Sequence, residues 1–456
     1  MDETELPEDS VVEDEEFEQN ELEDRQELPI IGQEDQRKVT STWTLMNFLR
    51  GMIGPGCLSL PLAVKNAGAF GGLALICVLG LMNLHCMMML VHCAQYLGKK
   101  SGKLELDYGH LGKKAFDYGP KRFRPYSKHM LYITNSVISA LQLGICAVQF
   151  VFMSSHIKEV LEGSDDKISL APAVYLSILL IPVILVNYIR SLRVLAFLST
   201  AGNLLMLIDF VIIFQAIVRQ PSQLGHLPSI TNASGLVLAS GSVLYAFEGQ
   251  AMILPMENRM QEPAAMVGLN GVLATGMNIV ICVYAATGFF GYSAYGNAAK
   301  GSITLNLPNN LEYNLVKMVL VVVIFLGFAI QAYVIIETLW PAIKRKLPER
   351  IPASRHILLE YIFRTLIVII TYLIAVGVPK LDLIIPLVGM SAGMLLAFIF
   401  PPFFELVTYW SVWRQQGRSS VATALHTTKN ILLILFGFAG LLVGLYSNIA
   451  QIADQL

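Results

Sequence analysis

The sequence predicts an all-α integral membrane protein of eleven transmembrane helices. Three observations lead there. First, 54% of the 456 residues are hydrophobic and only 14% charged, with a mean hydropathy of +0.57; soluble domains carry about 25% charged residues. Second, apolar runs long enough to cross a hydrocarbon core of about 30 Å recur along the chain. Third, two of those runs are interrupted in their middles by glycine, proline or polar residues. This composition excludes a nucleic-acid binder, a disordered scaffold and most soluble enzymes.

In chain order, residues 1–40 hold 16 of the 34 acidic residues against Arg25, Arg37 and Lys38. Such a segment cannot bury a core and reads as a disordered acidic tail. The apolar runs follow at about 43–68, 70–97, 127–157, 168–188, 192–218, 235–259, 265–296, 314–341, 356–376, 380–410 and 428–452. An odd number of spans places the termini on opposite sides. With the tail inside, 20 Lys and Arg fall in inside loops and six in outside loops, so the positive-inside rule assigns a cytoplasmic N-terminus. The sequon Asn232-Ala233-Ser234 then lies outside, as glycosylation requires. The six cysteines sit in apolar runs, and no Cys/His cluster suggests a metal or cofactor.

Span 1 contains Gly54-Pro55-Gly56, poor helix formers of which Pro55 also removes a backbone donor. Span 6 contains Phe247-Glu248-Gly249-Gln250, an acid, a glycine and an amide in mid-membrane. Backbone freed in lipid is costly, so both breaks must face protein or a water-filled cavity. Broken helices at positions one and six point to a five-plus-five inverted repeat, the architecture of secondary transporters. Repeat one covers about 43–218, repeat two about 235–410, and helix 428–452 is an addition, all within a domain spanning 41–455. The bared N–H groups of one half-helix and C=O groups of another suit a zwitterion.

At these residues the chain resembles a known family. The block Asn47-Phe-Leu-Arg-Gly-Met-Ile-Gly-Pro-Gly-Cys-Leu-Ser-Leu-Pro61 is similar to the first span of the proton-coupled amino acid transporters, in the amino acid/auxin permease superfamily. Leu84-His85-Cys86-Met87, Ala246-Phe247-Glu248-Gly249 and Leu254-Pro255-Met-Glu257-Asn258 are similar as well, and the likeness extends over about 40–452. It implies a leucine-transporter-type fold moving small neutral amino acids with a proton. Two positions depart from the family pattern. Asn47 stands where relatives often carry a His assigned to proton coupling, and Pro55 where they usually have a small hydroxyl residue.

The expected substrate contacts are the backbone at Ile53, Gly54, Gly56, Cys57, Phe247, Glu248 and Gly249, with Tyr245 and Phe247 walling the pocket. Intramembrane ionisable groups are the candidate proton carriers: Glu248 at the break, His85 in span 2 and Asp209 in span 5. Arg50 and Glu257 are candidate gate partners. Asn135, Ser139 and Gln142 share a face of span 3 expected to line the cavity. Span 8 has no Ser or Thr between Glu312 and Glu337, which leaves few oxygen ligands for a hard cation and favours protons over sodium. A sodium-coupled or facilitative transporter, or an amino acid sensor using the same site, are the alternatives. Tyr108-Gly-His-Leu111 and Tyr409-Trp-Ser-Val412 fit a loose endocytic pattern, and both plasma and lysosomal or vacuolar membranes stay open.

Overall fold

The computed structural model describes residues 38–102, 105–164, 170–345, 353–415 and 420–455. Residues 1–37 of the expected tail lie outside the described residues, as do Lys103, Lys167, Lys346, Arg350 and Arg418 of the charge pattern. Every segment expected to cross the membrane contains helix. Span 1 is α1 (Ser41–Met52) and α2 (Leu60–Ala67), joined through a 3-10 turn at Pro55–Ser59. Then come α3 (Ala69–Ser101), α4 (Tyr108–Asp117), α5 (Ser127–Ser164), α6 (Pro172–Asn187) and α7 (Leu192–Arg219). Span 6 is α8 (Ala233–Ala246) and α9 (Gln250–Asn258), followed by α10 (Val272–Tyr295), α11 (Leu311–Arg345) and α12 (Ala353–Gly377). Span 10 is α13 (Leu381–Val388), continuing through π-helical turns at Gly389–Gly393 and Leu395–Ile399 into α14 (Phe400–Gln415). The chain closes with α15 (Ser420–Gln455).

Among the described residues nine helical stretches are long and apolar enough to cross a membrane, α8 and α9 together forming one. The other two expected spans are helical but shorter. The 16 residues of α6 rise about 24 Å at 1.5 Å each, and span 1 is cut into pieces of 12 and 8 residues. Ile181 and Leu185 on α6, Ile208 and Val211 on α7, and Leu435 and Leu442 on α15 are exposed apolar side chains. Lipid is as apolar as a protein core, so these faces need no protein cover.

The expected inside loop 98–128 is not a loop throughout. It contains α4, whose Tyr108, Leu111 and Ala115 are buried along one stripe, at i, i+3 and i+7. Asp107 caps the helix, accepting from His110 N–H at 2.7 Å, and the Tyr108 hydroxyl donates to the Leu396 carbonyl at 2.8 Å. The Tyr108–Leu111 endocytic motif is thereby corrected, because both of its defining side chains are inside the protein.

The two interrupted helices lie side by side and antiparallel, tied at both ends. At one end Val39 N–H donates to Arg259 C=O (2.8 Å) and Gln261 N–H to Val39 C=O (2.9 Å). At the other, Thr231 N–H donates to Ala67 C=O (3.1 Å), and the Thr231 hydroxyl bonds the Asn66 carbonyl. The long helix α5 lies along α11 and also contacts α12 and α13, so its inner face and the two breaks enclose the middle of the molecule.

Candidate functional site

Helix α1 ends where Gly54 enters with extended backbone (φ −132°, ψ −165°), and no side chain caps the following turn. Helix α8 ends at Ala246, and α9 begins after Gly249, again without a side-chain cap. A helix end leaves its last carbonyls and first N–H groups without intrahelical partners. Neighbouring helices meet part of that need. The Tyr284 hydroxyl on α10 stands 2.5 Å from the Met52 carbonyl and 2.8 Å from the Ala246 carbonyl, one contact to each broken helix. Asn83 on α3 donates to the Phe247 carbonyl at 2.9 Å, and Gln250 donates in turn to Asn83. The breaks also touch each other. A Cβ placed on Gly56 would stand 3.1 Å from the Ala246 Cα, so only glycine allows this approach without displacement.

Beside this junction is a cavity of about 90 Å³. Gly54, Pro55, Gly56 and Ser59 line it from span 1, and Tyr245, Ala246 and Glu248 from span 6. A Cβ on Gly54 would meet nothing within 4 Å, so that position faces open space. Glu248 is half-buried, and among the described residues no ion pair reaches it. Helix α5 contributes Ile145, Val148, Gln149 and Phe152, and α11 contributes Ile324 and Gln331. A second cavity of about 310 Å³, bordered by Lys65, Lys300, Lys380 and Asp382, lies at the Ala67 end of the pair. Both cavities share Gly301, which belongs to the segment joining α10 to α11.

The structure brings Gly54, Gly56, Tyr245 and Glu248 to the cavity wall. Ile53 and Cys57 fall at the span-1 break but are not part of the wall. Phe247 is buried against the Tyr284 ring (centroids 4.8 Å apart), and Gly249 abuts Met52. Span 3 reaches the cavity one stage further along than expected. Asn135, Ser139 and Gln142 share the stripe, but Gln149, seven residues past Gln142, is its member at the wall.

His85 is exposed on α3, away from the cavity, with Glu405 and Lys429 as electrostatic neighbours. Asp209 is 3% exposed on α7, with one carboxylate oxygen buried and without a hydrogen-bond partner among the described residues. Arg50 and Glu257 are not joined. Glu257 accepts from Gln95 at 2.8 Å, and the Arg50 Nε is buried without a partner. Asn232 is exposed and caps α8, accepting from Gly235 N–H at 2.8 Å.

Sequence reasoning missed Tyr284, Asn83, Gln331 and Ser302. The last two line the cavity, and the first two hold the breaks. The polar stripe on span 3, followed for two more heptads, would have found Gln149 and His156.

A family model described as transmembrane amino acid transporter protein matches residues 37–450. A Caenorhabditis elegans protein named "Probable amino acid transporter skat-1" is 35% identical over 425 residues, covering 91% of each chain. A Drosophila melanogaster protein named "Proton-coupled amino acid transporter-like protein pathetic" is 27% identical over 431 residues, covering 93% of this chain and 88% of its own. Among solved structures, the inward-facing conformation of Mhp1 aligns over 92% of both chains with a TM-score of 0.53 at 10% identity, a likeness of fold.

Proposed function

The chain belongs to the transmembrane amino acid transporter family, and from that premise we propose that it is a secondary active transporter coupling small neutral amino acids to protons. The observation that carries this reading is the antiparallel pair of interrupted helices whose ends meet at one cavity. There the substrate carboxylate takes the free N–H groups that open the Pro55 turn and α9, and the ammonium takes carbonyls at the ends of α1 and α8. The cavity's modest volume, with Pro55 and Tyr245 on its wall, supports a small side chain.

Glu248 is the proton carrier in this mechanism. It faces the cavity, and among the described residues no ion pair reaches it, so it is tolerated there best when neutral, and a proton travels with the substrate. Asp209, buried with an unpartnered oxygen, is the second candidate. The absence of Ser and Thr from 312–337 of span 8, and the proton coupling in the name of the Drosophila relative, both support protons over sodium.

Reading α6 and the broken span 1 as crossings gives eleven spans in a five-plus-five repeat plus one helix. The Lys and Arg pattern supports a cytoplasmic N-terminus. Arg50 and Glu257 pair in an alternate conformation, closing the end of the pathway near Ser41. The membrane is plasma or lysosomal.

Uptake of radiolabelled glycine, alanine, proline, leucine and glutamate into liposomes, at two external pH values with sodium or choline, tests the proposal. Uptake of the small neutral members, driven by an inward proton gradient and indifferent to choline, is expected. Uptake that stops in choline overturns proton coupling, and preference for leucine or glutamate overturns the substrate class.

A further inference from the structure

The wall of the cavity contributed by the segment between α10 and α11 hides a polar chain outside the broken-helix site. His156 on α5 is fully buried, with its ring stacked on Phe152 at 3.9 Å between centroids. Its Nδ1 is 2.8 Å from the Phe152 carbonyl and its Nε2 is 2.5 Å from the Thr304 hydroxyl. Thr304, fully buried, is 2.7 Å from the Ser302 hydroxyl, and Ser302 lines the central cavity.

Counting protons fixes the sense of this chain. A carbonyl only accepts, so Nδ1 carries the hydrogen donated to Phe152. The charged group acting on His156 from α11 is Lys317, itself fully buried and bonded to Asn309 Oδ1 at 2.7 Å and the Leu307 carbonyl at 3.2 Å. On its own helix, Glu159 is taken up by Lys300 at 3.3 Å. A fully buried imidazole that, among the described residues, has no hydrogen bond or ion pair to a carboxylate stays neutral. Nε2 therefore has a lone pair and no hydrogen, and Thr304 must donate to it. The single Thr304 proton is then spent, so Ser302 must donate to Thr304. What the Ser302 hydroxyl has left for a further partner is lone pairs alone.

We propose that His156 is a positioning residue that, through Thr304, turns Ser302 into a dedicated hydrogen-bond acceptor for the ammonium group of the substrate. The inference deepens the transport reading and rests on it. It adds a side-chain acceptor to the carbonyls of the breaks, and it makes the site discriminate against analogues that lack an ammonium. With the chain cut, the Ser302 hydrogen is free to turn into the cavity, where it opposes an ammonium.

The test uses the full-length protein in liposomes, with radiolabelled L-alanine as the probe and propionate, which lacks the ammonium, as competitor. Ser302→Ala is expected to raise the KM for alanine about tenfold, the loss of one hydrogen bond to a charged group, and to leave inhibition by propionate unaltered. Thr304→Val is expected to raise KM about threefold with kcat retained, and Thr304→Ser to restore it. His156→Gln should resemble Thr304→Val where it folds. Equal effects on alanine and propionate, or no rescue by Thr304→Ser, overturn the inference while leaving transport intact.

A second readout does not depend on the substrate. The nitrogen spectrum of histidine-labelled protein, less that of His156→Gln, is expected to show a protonated Nδ1 and a bare Nε2. A protonated Nε2 overturns the chain. Absence of any alanine uptake by the native protein sinks the substrate reading instead, and the nitrogen spectrum still decides the chain.

Discussion

Removing one hydroxyl, Tyr284→Phe, probes the junction of the two breaks. The phenylalanine keeps the ring contact with Phe247 and loses only the oxygen that stands 2.5 Å from the Met52 carbonyl and 2.8 Å from the Ala246 carbonyl. Both acceptors are backbone atoms at helix ends, where no N–H of the same helix replaces the lost donor. A hydroxyl has one proton, so the change deletes about one hydrogen bond's worth of donor and leaves buried acceptors unpaired, at about 1–3 kcal/mol. At about 2 kcal/mol the population of intact junction falls roughly 30-fold relative to its opened forms.

The assay is paired: apparent melting temperature in detergent, and alanine uptake in liposomes. Thr287→Val is the control, one turn away on α10, since among the described residues its hydroxyl bonds the Val283 carbonyl of its own helix at 2.8 Å. Tyr284→Phe is expected to melt several degrees below both the native protein and the control, and to lose most uptake. If Tyr284→Phe matches the control in both measurements, the breaks are not held in this way, and the reasoning from bared carbonyls fails.

Three further outcomes are expected. Gly54→Ala should fold, because its Cβ meets nothing within 4 Å, but its methyl enters the cavity and shifts preference from alanine towards glycine in the uptake panel. Gly56→Val, by contrast, forces side-chain carbons against the Ala246 backbone at 3.1 Å, costing about 1–3 kcal/mol of overpacking and abolishing uptake; normal uptake would refute the close approach. Glu248→Gln, which cannot ionise, should lose accumulation driven by a pH gradient yet retain alanine exchange, and unaltered pH-driven accumulation would remove Glu248 from coupling.

The breaks were legible because their cause is local. Gly54-Pro55-Gly56 and the glycine of Glu248-Gly249 are poor helix formers wherever they occur, and both helices stop there. The ends of the other helices were less legible: span 3 runs on to Ser164, span 7 begins only at Val272, and the last helix already begins at Ser420. The orientation of each helix was not legible. Helix α3 has little amphipathic character over its 33 residues, so periodicity could not separate its lipid face from its bundle face, nor show that His85 is exposed. Helix α4 was hidden because Lys113 and Lys114 dominate its hydropathy although both are buried. The grip of Tyr284 joins residues 232 and 38 positions away, a pairing that only the packed bundle creates. The same holds for Ser302, which reaches the cavity from a segment that reads as an ordinary loop.

The account turns on peptide groups bared by the two breaks holding the cargo. A density map of the protein with bound alanine measures that most directly. The account predicts ligand density between Gly54–Gly56 and Tyr245–Glu248, the carboxylate within hydrogen-bond reach of backbone N–H and the ammonium near helix-end carbonyls. Alanine seated elsewhere, or both helices running unbroken through the bound state, would contradict it.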